Sequence, residues 1–190
     1  DQTTYLGKIV KITKDGKPAP GNPQIAGWKP EIYSTGHRNP QGTAIHPVTG
    51  DLWEAEMGPR GGDEINLIKP GKNYGWPTIT YGEEYSGAKV GEGIGQKAGL
   101  EQPVYYWDPS VSMSGIDFYK GNIPEWKNNL MIGCLSGQKI IRLMIENNKV
   151  VGEEWLLTDK NERFRDVLSA ADGNLYAITD SGKLFKIAQK

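Results

Sequence analysis

Apolar and polar residues alternate with a period of two over short stretches of this chain, and no stretch sustains a helical period. LGKIVKI (Leu6 to Ile12) predicts a strand that ends at the turn KDGK (Lys14 to Lys17). Residues Gly42 to Gly58 predict a strand, a turn at Val48 to Asp51, and a second strand. NLMIGCL (from Asn129) and QKIIRLMI (from Gln138) predict two strands around Ser136-Gly137. DVLSAADGNLYAITD (from Asp166) and GKLFKIA (from Gly182) add three more, with turns at Ala171 to Gly173 and Ser181-Gly182. IPEWKNN (from Ile123) has room for one short helical turn, and Tyr81 to Gln102 reads as loop. The fold class is therefore all-β.

Three stretches share one order of strand, polar turn, apolar strand and small polar loop: Gly42 to Gly58, Gly115 to Gly137 with its inner gap, and Asp166 to Gly182. Their spacing is of the order of a propeller blade, ~40–50 residues. A β-sandwich gives similar strand statistics, so the spacing prefers a propeller only slightly. Three units cannot close a ring that needs at least ~4 blades, so on the propeller reading residues 1–190 form part of a larger wheel.

Composition narrows the classes. The 190 residues suffice for one domain of ordinary size, and 25 glycines with 12 prolines suit short strands and frequent turns. Twenty-two basic and 23 acidic residues give a net charge of -1, which provides no footprint for nucleic acid or an anionic membrane surface. No apolar run approaches the ~20 residues of a membrane-spanning helix. Cys134 lies in apolar LMIGCL and reads as a buried thiol. The chain opens without a charged-then-apolar signal segment.

The candidate chemistry sits in three polar knots. GHRNPQG (Gly36 to Gly42) crowds His37, Arg38, Asn39 and Gln41 around a proline. NERFRDV (Asn161 to Val167) places Arg163 and Arg165 two apart, on one face where a strand begins. Three arginines in polar loops of a neutral protein suit an anion bearing several carboxylates or phosphates. The same residues also suit a self-satisfied loop and a solvated strand edge. In EMGPRGGDE (Glu56 to Glu64), Gly58-Pro59 and Gly61-Gly62 bend the backbone so that carbonyls can face a hard cation, and Asp63 and Glu64 add carboxylates. The spacing is not that of an EF-hand, and a plain glycine-rich turn explains the stretch equally simply.

YSTGHRNPQG, EMGPRGGDEINLI, GKNYGWP, EQPVYYW and NERFRDV, in this order and at these intervals, resemble the soluble aldose sugar dehydrogenases. These are pyrroloquinoline-quinone (PQQ) enzymes of the glucose/sorbosone dehydrogenase family. The resemblance runs from about Leu6 to the C-terminus and implies a six-bladed β-propeller. This chain would supply its C-terminal three to four blades, as one part-domain over residues 1–190.

It further implies that Arg38 and Asn39 meet the quinone, with Arg38 catalytic beside its reactive carbonyl, and that Gln41 braces that loop. The main-chain carbonyls of Gly58 and Pro59 would hold a catalytic Ca2+. Glu64 and the carbonyl of Tyr74 would hold a second, structural calcium. Arg163 and Arg165 would meet the cofactor's carboxylates, while Tyr85 and Trp107 would line the same mouth.

One position departs from the family. Many relatives carry a lysine where this chain has Ser136, and Lys139, three residues on, is expected to point elsewhere. The family's catalytic base is a histidine of an early blade, and neither His37 nor His46 stands in its place in the motif order. The implied activity is oxidation of an aldose at the anomeric carbon to a lactone, in the periplasm or outside the cell, with an N-terminal set of blades as partner. The alternative is a non-catalytic, calcium-stabilised propeller module that binds a saccharide or another polar ligand.

Overall fold

The computed structural model describes residues 1–189. Thirteen strands form four antiparallel sheets, each a meander. A two-stranded sheet pairs β1 (Lys8–Val10) with β2 (Ile32–Thr35). The first four-stranded blade is β3 (Pro40–Ile45), β4 (Leu52–Glu56), β5 (Asp63–Ile68) and β6 (Tyr105–Trp107). The second is β7 (Met113–Phe118), β8 (Leu130–Cys134), β9 (Lys139–Glu146) and β10 (Lys149–Leu156). A three-stranded sheet holds β11 (Phe164–Ser169), β12 (Leu175–Thr179) and β13 (Leu184–Ile187). The expected helical turn is a single turn of 3-10 helix, Pro124–Trp126.

The blades stand face to face. β8 is buried along its whole length because both of its faces are covered. Leu130, Ile132 and Cys134 pack with Trp53, Ala55, Ile65 and Phe118 between the two four-stranded blades. Met131 points the other way, joining Tyr119, Ile140, Phe164 and Leu175 against the three-stranded sheet. The innermost strands β3, β7 and β11 lie side by side, as in a propeller around its axis. Gly42 permits the close approach: a Cβ there would lie 2.7 Å from the Ser114 carbonyl oxygen.

Each innermost strand carries a one-residue bulge at the same end. The pairing slips between Pro40 and Gly42 on β3, between Met113 and Ile116 on β7, and between Phe164 and Asp166 on β11. Bulges twist a strand and redirect side chains, and here all three act where the polar knots converge.

Several strands differ from expectation. β1 is shorter than Leu6 to Ile12, because β2 pairs with only its middle. β2, β5, β6 and β10 have no counterpart in the alternation reading. The 81–102 segment is largely irregular, as expected, but Glu83 forms bridges to both Arg60 and Lys89.

Candidate functional site

The site end of β3 continues into Arg38 and Asn39, and the pairing of Pro40 with Glu56 sets them beside the turn joining β4 to β5. Arg38 donates from one guanidinium nitrogen to the carbonyls of Met57 (2.9 Å) and Gly58 (3.0 Å). Its guanidinium carbon lies 5.4 Å from the Trp76 ring centroid. Among the described residues no carboxylate pairs with that guanidinium, so its charge is available to an anion. Gln41, the bulged residue, donates to Asn39 Oδ1 at 2.7 Å and so braces the loop.

The glycine-rich turn is held from beneath by Asp63. Its carboxylate accepts from Gly58 N (3.0 Å), Ser110 Oγ (2.9 Å), Val111 N (2.9 Å) and Ser112 N (2.6 Å). Burial pushes this carboxyl upward, and the four hydrogen bonds pull it back. Asp63 is thus a staple between the turn and the start of β7 and has no lone pairs to spare for a metal. At Gly58 a Cβ would land on the carbonyl oxygens of Gly61 and Gly62, so only glycine permits this turn.

Gly58, Glu56, Glu64, Tyr74, Trp76 and Arg38 line one small cavity of ≈ 10 Å³, about the room of one water or one cation. Glu56 and Glu64 sit directly opposite each other on β4 and β5, and both are buried. Burial, and next the charge of Glu56, raise the Glu64 carboxyl to about 8. His37 stands against Glu56, and among the described residues Glu64 has no basic partner. Two buried acids in a cavity that Tyr74 also lines offer the carboxylate oxygens that a hard cation takes. The residues therefore fit the structural calcium that the motifs imply. The same holds for Gly58, whose carbonyl has a second lone pair, and for Pro59 next to it.

At the third knot, the bulge at Arg165 lets both arginines reach one acid across the β12–β13 turn. Arg163 Nε donates to Asp180 Oδ2 (2.8 Å), while Arg165 donates to Oδ1 and Oδ2 (2.8 and 3.1 Å). These bonds, Arg165's first, hold the Asp180 carboxyl below its usual range. The trio keeps one net positive charge. With Arg38 it offers two uncompensated charges, which fits an anionic cofactor with several carboxylates.

Two aromatic expectations are revised. Trp107 does not line a mouth: its indole is 8% exposed, packs between the blades, and donates from Nε1 to Glu153 at 3.2 Å. It serves the turn through its backbone, whose carbonyl accepts from Gly62 N at 2.8 Å. Tyr85 is 73% exposed and lines a separate groove with Pro59. Ser136 and Ser112 place their hydroxyl oxygens 2.6 Å apart. Lys139 does point elsewhere, with Nζ 3.3 Å from the Trp155 ring centroid. Trp76, Asp63 as a staple, and Asp180 are the residues that sequence reasoning missed. The signal for Asp180 was only an acid in the turn TDSG.

Both histidines are structural. His37 is buried, with Nδ1 3.3 Å from Glu56 Oε2 and Nε2 2.8 Å from the Ser34 hydroxyl. His46, at the far end of β3, accepts at Nδ1 from Val48 N and Thr49 N, each at 3.2 Å.

Comparison with known proteins agrees with the motifs. The sequence profile of the Glucose / Sorbosone dehydrogenase family matches residues 1–186. Aldose sugar dehydrogenase YliI of Escherichia coli is 45% identical over 196 residues, covering 100% of this chain and 53% of the relative. A crystal structure of the soluble aldose sugar dehydrogenase of Escherichia coli, in its apo form, superposes with a TM-score of 0.93 at 42% identity. It covers 100% of this chain and 56% of that one. The PQQ-bound aldose sugar dehydrogenase of Streptomyces coelicolor superposes at 0.73 with 32% identity, over 94% of this chain and 47% of that one. The chain thus spans about half the length of these relatives. It belongs to the glucose/sorbosone dehydrogenase family.

Proposed function

We propose that this chain forms the cofactor- and metal-holding part of a sugar oxidoreductase that oxidises aldoses at the anomeric carbon to lactones. Pyrroloquinoline quinone and Ca2+ are its cofactors on this reading. It corresponds to the C-terminal blades of a periplasmic or secreted propeller. What supports the reading most is that Arg38 reaches the Gly58 carbonyl beside the bulged end of β3, while Gln41 of β3 and Arg165 of β11 line one cleft.

When bound, the quinone supplies a two-electron acceptor and calcium a Lewis acid. The chain's own residues do the rest of the work assigned to this half. Arg38, steadied by the Met57 and Gly58 carbonyls and by Trp76, orients the reacting end and favours negative charge developing there. Arg163 and Arg165, fixed by Asp180, hold the far carboxylates. The turn stapled by Asp63 keeps Gly58 and Pro59 in place. Removing the proton from the anomeric hydroxyl requires a base, and both histidines are already engaged. On this reading the proton passes to a histidine of an early blade, as the resemblance implies, outside residues 1–190.

The second reading, a non-catalytic saccharide-binding module, is favoured only by Ser136 in place of the family's lysine. The full-length protein loaded with calcium and PQQ should reduce an artificial dye on addition of aldoses, with the lactone as product. Saturable saccharide binding without any dye reduction across a panel of aldoses would favour the module instead.

A further inference from the structure

Glu54 and Glu56 stand two apart on β4 and so point to one face of the first four-stranded blade. The loop that enters β3 lays His37 against that face. One ring nitrogen of His37 and one carboxylate oxygen each of Glu54 and Glu56 lie within 4.8 Å of one another, and all three residues are buried. The small cavity assigned to calcium is lined by Glu56 and Glu64 but by neither His37 nor Glu54. The cluster is therefore a second place, which shares only Glu56 with the first.

Acceptors outnumber donors in this layer. Glu56 Oε2 takes the backbone N–H of Arg38 (3.3 Å), and Glu54 Oε2 takes one amide hydrogen of Asn66 (3.2 Å). Glu54 Oε1 and Asn66 Oδ1 are buried without any hydrogen-bond partner, and both residues are wholly shielded from solvent. Among the described residues no lysine or arginine side chain reaches Glu54 or Glu56. Buried acceptors left unpaired are costly, and a cation placed among them satisfies several at once.

The imidazole selects the cation. Ser34 Oγ lies 2.8 Å from His37 Nε2, where it can accept the Nε2 proton and leave the Nδ1 lone pair facing the acids. His37 Nδ1 and Glu56 Oε2 are 3.3 Å apart. Two ligand atoms bound at 2.0–2.2 Å to one tetrahedral ion stand about 3.3–3.6 Å apart. Calcium and magnesium take oxygen ligands, whereas one imidazole with carboxylates suits zinc. Two carboxylates also balance the charge of one divalent ion.

We propose that His37, Glu54 and Glu56 form a buried zinc site, separate from both calcium positions, that ties the loop carrying Arg38 to β4. The site stands whether or not the protein oxidises aldoses. Crystals of the full-length protein, grown with excess calcium and soaked in zinc, should show an anomalous peak at the zinc edge between the three side chains. No peak there, or a peak only beside Glu64 and Tyr74, would overturn the proposal. In solution, untagged full-length protein dialysed against zinc and then against excess calcium should keep zinc at this position. The isosteric variant Glu54→Gln should hold it about tenfold or more weakly. Zinc wholly displaced by calcium, or equal zinc affinity in folded Glu54→Gln, would also overturn it. Should Glu54→Gln fail to fold, the anomalous map of the wild type decides alone.

Discussion

Arg38 and Gly58, twenty positions apart, are joined by a 3.0 Å hydrogen bond from guanidinium to carbonyl. The carbonyl assigned to the catalytic calcium is therefore already in contact with a positive charge. A divalent cation arriving there meets like-charge repulsion unless an anion lies between. Calcium should bind strongly at Gly58-Pro59 only together with the quinone. Equilibrium dialysis of the full-length protein should find one more tightly held calcium with PQQ than without. The same number in both would mean that Arg38 leaves the carbonyl free.

Buried Asp63 gathers four hydrogen-bond donors from two segments about fifty residues apart, at Gly58 and at Ser110 to Ser112. Asp63→Ala leaves those donors unpartnered and should lower stability by about 3–5 kcal/mol, measured by urea unfolding. Cofactor binding should weaken as well, because the Gly58 turn loses its anchor. A loss under about 1 kcal/mol would show that water replaces the carboxylate freely.

Much of this architecture was legible because particular strands are simple. β8 is buried throughout because both of its faces are covered, β12 buries every second residue, and both end at glycine turns. β5 was hidden by its own function: Asp63, Glu64 and Asn66 make it look like a polar loop, although all three are buried. β10 was hidden by exposed Val151 and Trp155 and by three glutamate and lysine positions that blur its period. The polar knots announced their residues but not their geometry. A bulge shifts the pairing by one residue without a mark in the hydrophobic pattern, and it is the bulge at Arg165 that lets both arginines share Asp180. Trp107 was misplaced for a related reason, since an indole beside a site can equally be the core beneath it.

Glu64 supplies a pH dependence in the metal-free protein. Its folded carboxyl titrates near 8, above the ordinary 4.5, because of burial and then Glu56. The folded state thus holds a proton that the unfolded state releases earlier. Stability is full below about pH 4.5 and declines as pH rises toward 8, by on the order of 4 kcal/mol. Calcium, which favours the ionised form, should flatten that decline. Thermal melts from pH 5 to 8 with EDTA and with calcium would show it. Parallel curves would place no cation at Glu64.

Ser136 occupies the position of the family's lysine, its hydroxyl 2.6 Å from that of Ser112. If the site accepts a cofactor carboxylate nearby, Ser136→Lys in the full-length protein should tighten PQQ binding by about 1.5–3 kcal/mol, the worth of one charge-assisted hydrogen bond. Fluorescence titration measures it. Unchanged affinity would mean that the Leu135–Gln138 turn stands away from the cofactor.

The central claim is that the three bulged strand ends build one anion-binding cofactor site. Spectroscopic titration of PQQ into the full-length protein, with calcium present, tests it most directly. Wild type should bind saturably with one quinone per chain, and the triple variant Arg38→Ala/Arg163→Ala/Arg165→Ala should lose affinity by about a hundredfold or more while keeping its fold. Equal PQQ affinity in the wild type and in the folded triple variant would contradict the account.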